Sequence, residues 1–198
     1  KSKGAGGFDI MLLKITASGQ EVFMRTFGKV YYDKSFFGTL TQDNQLLIGG
    51  YETDEDTQKK NFNVRKISIS GQEIWSHVLE NDIFDRAQGV QDAGDGWLVT
   101  GNRFLTDKNH DIILQKLDYD GTMRWEKQYG NSGVDEVTDF IETEMGNYLI
   151  CGYSGSFYEN RNNDLYLLEV NSNGDSLTSN HFGKSGQADY EEGYSIIQ

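Results

Sequence analysis

DIILQKLDYDGTMRWEKQYG, residues 111 to 130, decides how this chain folds. An apolar run from Ile112 to Leu117 leads to Asp120-Gly121, and Trp125 and Tyr129 follow before Gly130. Asp-Gly between two such runs is a strong hairpin signal. The hairpin occurs four times. Lys14, Lys66, Lys116 and Glu169 each stand five residues before Gly19, Gly71, Gly121 and Gly174, which follow one another at steps of 52, 50 and 53. Nine residues past these glycines come Gly28, Glu80, Gly130 and Gly183. Four residues past them stand Phe23, Trp75 and Trp125, and Thr178 breaks the column. An acid comes next, Asp33, Asp85 and Asp135, with Asp189 or Glu191 in the last copy. Such coincidence at one period marks an internal repeat.

Outward from the hairpin, each period holds four candidate strands. The first full set is FFGTLT, QLLIGGY, NFNVRKISI and QEIWSHVL, with turns at Gln42 to Asn44 and at Ser70-Gly71. AQGVQD, WLVTGN, DIILQKL and MRWEKQY repeat the order, as do DFIETE, NYLICGY, DLYLLEV and DSLTSNHF. Runs such as IMLL, IILQ and LYLL are apolar on both strand faces, which calls for burial on both sides. Four-stranded antiparallel units of ~50 residues that are buried on both faces fit the stacked blades of a β-propeller. The expected fold is therefore all-β. It comprises a half blade at 8–28, blades at 33–80, 85–130 and 135–183, and the first strand of a further blade at 189–198. Starting and stopping mid-blade predicts an incomplete portion of a larger ring, because an open arc leaves blade faces and strand edges bare.

The order within a blade resembles that of kelch-type repeats. A glycine-ended second strand, LIGGY at 47 to 51, precedes a third strand and an outer strand bearing Trp75. The glycine pair is present at Gly49-Gly50 only, against Thr100-Gly101 and Cys151-Gly152. Residues 111 to 130, 146 to 153 and 193 to 198 are also similar to repeats of secreted and lipid-anchored bacterial propeller proteins, notably of Bacteroidota. That resemblance implies a scaffold that is extracellular or held at the cell surface or outer membrane. It implies no single activity.

Lys and Arg number 18 and Asp and Glu 31, a formal charge of −13 with the acids spread along the chain. Nucleic acid and anionic membrane surfaces demand clustered cations, so neither is expected as the main partner. No direct membrane insertion is expected of this segment, which holds no apolar run of spanning length. Cys151, in the apolar run YLICGY, is expected to be a small buried hydrophobe. His77, His110 and His181 lack paired spacing for zinc. Asp118, Asp120 and Gly121 look like the start of a calcium loop, as do Asn171, Asn173, Gly174 and Asp175. The equivalent Thr16, Ser18, Ser68 and Ser70 carry no carboxylate, so hairpin chemistry explains all four copies. No metal, cofactor or catalytic residue is assigned.

In an antiparallel meander successive turns alternate between the two ends of a sheet. Short glycine turns fall at one end. Longer, dissimilar connections at 29 to 35, 52 to 61, 81 to 86, 102 to 110, 131 to 136, 154 to 163 and 184 to 192 fall at the other, the expected working face. Residues present in every copy, such as Asp33, Asp85 and Asp135, read as turn groups accepting backbone N–H bonds. Departures between copies are the site candidates: Tyr31, Tyr32, Phe36, Phe37 and Phe84, with Phe157 and Tyr158 in a later loop. Such rings stack on sugars or anchor a protein partner; the competing reading has them cover the core between blades. The first functional expectation is a non-enzymatic scaffold binding a protein or glycan. The alternatives are a glycan-active lyase or hydrolase with a site at the propeller axis, and a structural subunit of a cell-envelope complex.

Overall fold

The computed structural model describes residues 4, 6–80, 84–156, 163–183 and 190–197. Among them every regular element is a strand. The chain divides into two compact units, Lys1–Ala87 and Gln88–Gln198. The first holds a two-stranded sheet of β1 (Ile10–Ile15) and β2 (Glu21–Phe27), followed by β3 (Lys34–Leu40), β4 (Leu46–Thr53), β5 (Lys60–Ile67) and β6 (Glu73–Leu79). Strand β7 (Phe84–Asp92) starts in the first unit and continues into the second. There it forms a sheet with β8 (Trp97–Thr106), β9 (Asn109–Leu117) and β10 (Met123–Tyr129). The last sheet comprises β11 (Asp135–Glu142), β12 (Tyr148–Ser154), β13 (Asp164–Val170) and β14 (Ser176–Phe182). Each four-stranded sheet is a meander in chain order, and the repeated antiparallel sheets are compatible with a propeller-like repeat.

The recurring hairpin is a four-residue turn, not a two-residue loop. Asp118 N donates to Thr122 O at 2.8 Å and Gly121 N to Asp118 O at 3.0 Å. Thr16 to Gln20, Ser68 to Gln72 and Asn171 to Asp175 repeat both bonds. Gly19, Gly71, Gly121 and Gly174 have φ between +77° and +89°, where a side chain is strained, while Asp120 keeps negative φ. This is a type I turn closed by a glycine bulge, a solution that suits the right-handed twist of the flanking strands.

The same glycines carry the aromatic column. A Cβ on Gly71 would lie 2.7 Å from the Phe23 ring, and one on Gly174 would lie 2.9 Å from Trp125. Tyr129 adds a bond from its hydroxyl to Gly174 O at 2.5 Å. The Phe23 and Trp125 rings thus each rest on the next repeat's hairpin within their own unit, so the two sequence columns are linked there. Thr178, which lacks a ring, is exposed.

Within the first unit Ile10 packs with Ile48 and Ile67 under Leu12, Phe27 and Leu46. Leu98, Ile112 and Leu114 meet Val137, Phe140, Tyr148, Ile150 and Leu168 in the larger core of the second. Asn102, fully buried, acts there as a surrogate peptide: its Oδ1 accepts Val137 N at 2.8 Å and its Nδ2 donates to Val137 O at 3.2 Å. Buried Cys151 sits in the same unit, and burial, with Asp139 nearby, pushes its thiol pKa up.

Strands claim part of what the sequence assigns to connections. Arg103 pairs Asp111 and Phe104 pairs His110, so most of 102 to 110 is ladder. The Phe104 and His110 rings, 4.2 Å apart, hold that hairpin closed. Phe84 and Arg86, within the connection expected at 81 to 86, lie in β7, and Lys34 and Ser35, within that expected at 29 to 35, lie in β3. Residues 190–197, expected to begin a further blade, form no ladder among the described residues. Glu191 N donates to Asn163 O at 2.9 Å, as Asp33 N does to Phe8 O at 2.7 Å. Phe8 and Asn163 both stand eleven residues before a hairpin glycine, so Glu191 takes the position of Asp33 in the last copy.

Candidate functional site

The repeating acids are structural. Asp33 is buried and its carboxylate accepts Lys29 N and Thr53 N, each at 2.7 Å. Asp135 accepts Asn131 N at 3.1 Å and the hydroxyls of Ser154 and Ser156. Each lies beside a second polar column at the start of a third strand: Asp9, Asn61, Asp111 and Asp164. A Cβ on Gly130 would lie 2.3 Å from Asp111 Oδ1 and 2.9 Å from Asp135 Oδ2, so both carboxylates converge on that glycine. Burial first, then the Asp135 charge, raises the Asp111 pKa. Asn61 Oδ1, Asp111 Oδ1 and Asp164 Oδ2 are all buried without a hydrogen-bond partner. An oxygen left over at one position in three copies belongs to the repeat. The same convergence recurs around Gly28, where a Cβ would lie 2.5 Å from Asp33 Oδ2 and 2.9 Å from Asp9 Oδ1.

In the first unit Ser35 pairs Gly50 and Phe37 pairs Gly49, which leaves Phe36 as the extra residue of a β-bulge; the last sheet has the same bulge at Thr138, so the ring and not the bulge departs from the repeat. Bulges re-aim side chains. Phe36 is 41% exposed, whereas the Phe37 ring lies against Gly49, where a Cβ would approach it to 2.4 Å. The Tyr51 ring stands 6.0 Å from Phe36 and meets Phe84 edge-on at 5.6 Å. Lys60 Nζ is 5.0 Å from both the Tyr51 and Phe84 centroids, and the Arg86 guanidinium is 5.3 Å from that of Phe36. Tyr51 is only 5% exposed; burial and, to a lesser degree, Asp33 raise its pKa, while Arg86 opposes them.

A second, more open group borders the same strand ends. Tyr32, 52% exposed, leans on Phe8, 65% exposed, with centroids 5.4 Å apart. Backbone bonds from Gly7 N to Val30 O and from Asp33 N to Phe8 O hold the two segments together. Gly7 gives them room: a Cβ there would lie 2.9 Å from Tyr31 O. Tyr31 itself is half-buried.

Of the seven aromatic candidates, Phe36 and Phe84 therefore share one cluster, Tyr32 joins Phe8 beside it, and Phe37 turns into the sheet. Phe157 and Tyr158 lie outside the described residues. Tyr51, Lys60 and Arg86 escaped sequence reasoning. Tyr51 reads as the end of an apolar strand, and Lys60 as a counter-charge to Glu52, Asp54, Glu55 and Asp56. In the fold, Glu52 is engaged by Arg65 and by Lys29 at 2.8 Å. Asp54 caps its own turn, accepting Thr57 N at 2.8 Å. The missed signal was positional: Lys60 stands eleven residues before Gly71, where the other copies have Phe8, His110 and Asn163.

No three His, Cys, Asp or Glu among the described residues gather to hold a metal ion. No family model and no curated protein matches the chain. A crystal structure of a protein of unknown function from Bacteroides caccae is similar in fold, with a TM-score of 0.50 at 13% identity over 88% of this chain. The chain spans 58% of that protein's length, and the likeness concerns the arrangement of strands alone.

Proposed function

We propose that this chain is a non-enzymatic scaffold, a portion of a longer kelch-like β-propeller displayed at a bacterial surface or secreted, that holds a glycan at the strand ends carrying Tyr32, Phe36 and Phe84. The observation behind it is the exposure of Phe8, Tyr32 and Phe36 at one end of the first unit, beside the cations Lys60 and Arg86. Flat rings offer a stacking face to a sugar, and adjacent charged heads offer hydrogen bonds to its hydroxyls. A protein partner would call for a wider contiguous apolar patch than these separated rings supply.

Affinity electrophoresis against a panel of neutral and acidic polysaccharides tests this directly. Retardation by at least one is expected, and Phe36→Ala should weaken it about tenfold, the equivalent of ~1.4 kcal/mol, while leaving the melting temperature within a few degrees. Unaltered migration through every polysaccharide, or full retention by the alanine variant, would remove the glycan reading.

A further inference from the structure

We infer that the open edge of β1 is a docking site for one more β-strand: an extended apolar segment of the kind this repeat uses as its second strand, supplied by another repeat of the same type. Docking there requires no glycan and goes beyond the reading above.

The repeat itself supplies the comparison. Strand β1 holds the place of β5, β9 and β13, since Lys14 takes the column of Lys66, Lys116 and Glu169. Those three strands are central in their sheets: β4, β8 and β12 pair along one edge, and β6, β10 and β14 along the other. Among the described residues β1 pairs with β2 alone. Counted from the hairpin glycine, Met11, Leu13 and Ile15 occupy the positions of Tyr166, Leu168 and Val170, which join the core of the second unit. Ile67, at the position of Ile15, is also fully buried. In β1 the three side chains are 60%, 47% and 55% exposed, while Ile10, on the opposite face, is buried. An unpaired edge beside an uncovered apolar face is what an added strand completes.

The chemistry of the partner follows from the strands that fill this edge elsewhere. LLIGGY at 46–51, WLVTGN at 97–102 and YLICGY at 148–153 each begin with three apolar residues and carry glycine at the fifth position. In the first unit Leu46 pairs with Ile67, Leu47 with Lys66 and Ile48 with Arg65. The same register on β1 sets a leucine opposite Ile15 and an isoleucine opposite Leu13, both on the uncovered face, where cross-strand neighbours are close enough to pack. Lys66 and Lys116 reach Asp43 and Asp95 in the turn that leads into the second strand. Lys14, in the same column, donates to Ile69 O at 3.3 Å. A carboxylate just before the incoming strand gives Lys14 the ion pair that the other two lysines make.

Fluorescence anisotropy of a labelled peptide of residues 43–53, DNQLLIGGYET, titrated with the 198-residue chain tests this. Saturable binding is expected, and none by a scrambled peptide. Leu13→Lys should weaken it at least about tenfold, with melting curves to verify that the variant is folded. Oxidative cross-linking reads the register separately, the native Cys151 being buried. With Leu13→Cys in the protein, a peptide carrying Ile48→Cys should cross-link, and one carrying Leu47→Cys, whose side chain points to the other face, should not. Absence of binding, equal binding of the scrambled peptide, unaltered affinity of Leu13→Lys or equal cross-linking of the two peptides would overturn the strand site, and each would leave the glycan reading untouched. A dimer that Leu13→Lys dissociates and the peptide leaves intact would assign the edge to a second copy and overturn it as well.

Discussion

Gly19 and Gly71 hold almost the same backbone conformation, φ +83° and +82°, in very different surroundings. Nothing lies within 4 Å of a Cβ placed on Gly19, whereas one on Gly71 meets the Phe23 ring at 2.7 Å. Gly19→Ala should therefore cost only the left-handed strain, about 1–2 kcal/mol. Gly71→Ala should add roughly 1–3 kcal/mol of overpacking, and urea unfolding of the two variants measures the difference. Asp111 offers a prediction with the opposite sign. Its folded pKa is raised, so the stability it contributes is full below the unfolded carboxylate pKa and is lost as pH rises through the folded value. Asp111→Asn removes that loss while the side chain still accepts from Gln128. The variant should gain on the parent progressively above pH ~4, and Asn61 in the equivalent column shows that the amide fits. Unfolding free energies that run parallel from pH 4 to 8 would sink this. At this scale the sequence was informative about columns and silent about directions. Phe36 and Phe37 are indistinguishable as letters, and only the bulge separates the outward ring from the inward one.

Each sheet carries a brace from its third strand to the turn between its first and second. Lys66 Nζ reaches Asp43 Oδ2 at 2.8 Å, and Lys116 pairs with Asp95. In the last copy Asn147 Nδ2 donates to Glu169 Oε1 at 2.8 Å, reaching it from the turn position that Gln45, not Asp43, holds in the first four-stranded sheet. Converting that brace to a lysine–carboxylate pair, Glu169→Lys with Asn147→Asp, should restore what either single change removes. A coupling of about 0.5–1 kcal/mol in a double-mutant cycle is expected, and strict additivity would refute the brace. The acid limb tests the pairing again. Hydrogen bonding to Lys116, and secondarily to Arg124, lowers the Asp95 pKa, so its contribution is present above the unfolded value and is lost as pH falls through the folded one. Lys116→Met should make the loss of stability below pH ~4 shallower, as followed by fluorescence during acid titration. The Lys column was visible in the sequence, and so was its exception at Glu169. Its meaning needed the strand register, which brings residues about twenty positions apart into contact.

Across the chain, burial is uneven. Strand β9 is buried almost from end to end, and the second unit contains the larger apolar cluster. In β1 and β2 the side chains of Met11, Leu13, Ile15 and Val22 are exposed. Amide hydrogen exchange should therefore release β1 and β2 first and β9 and β12 last, since opening free energy follows buried contacts. Uniform protection would contradict it. The sequence by itself determined the all-β class, the repeat, its four strands per period and the hairpin glycines, because these rest on local periodicity and on a backbone conformation that glycine adopts without strain. Only the tertiary structure decided that Tyr51, Lys60 and Arg86 stand with Phe36 and Phe84, and that 102 to 110 is mostly strand. Those outcomes depend on a bulge, on register and on contacts between neighbouring repeats, none of which a linear spacing encodes.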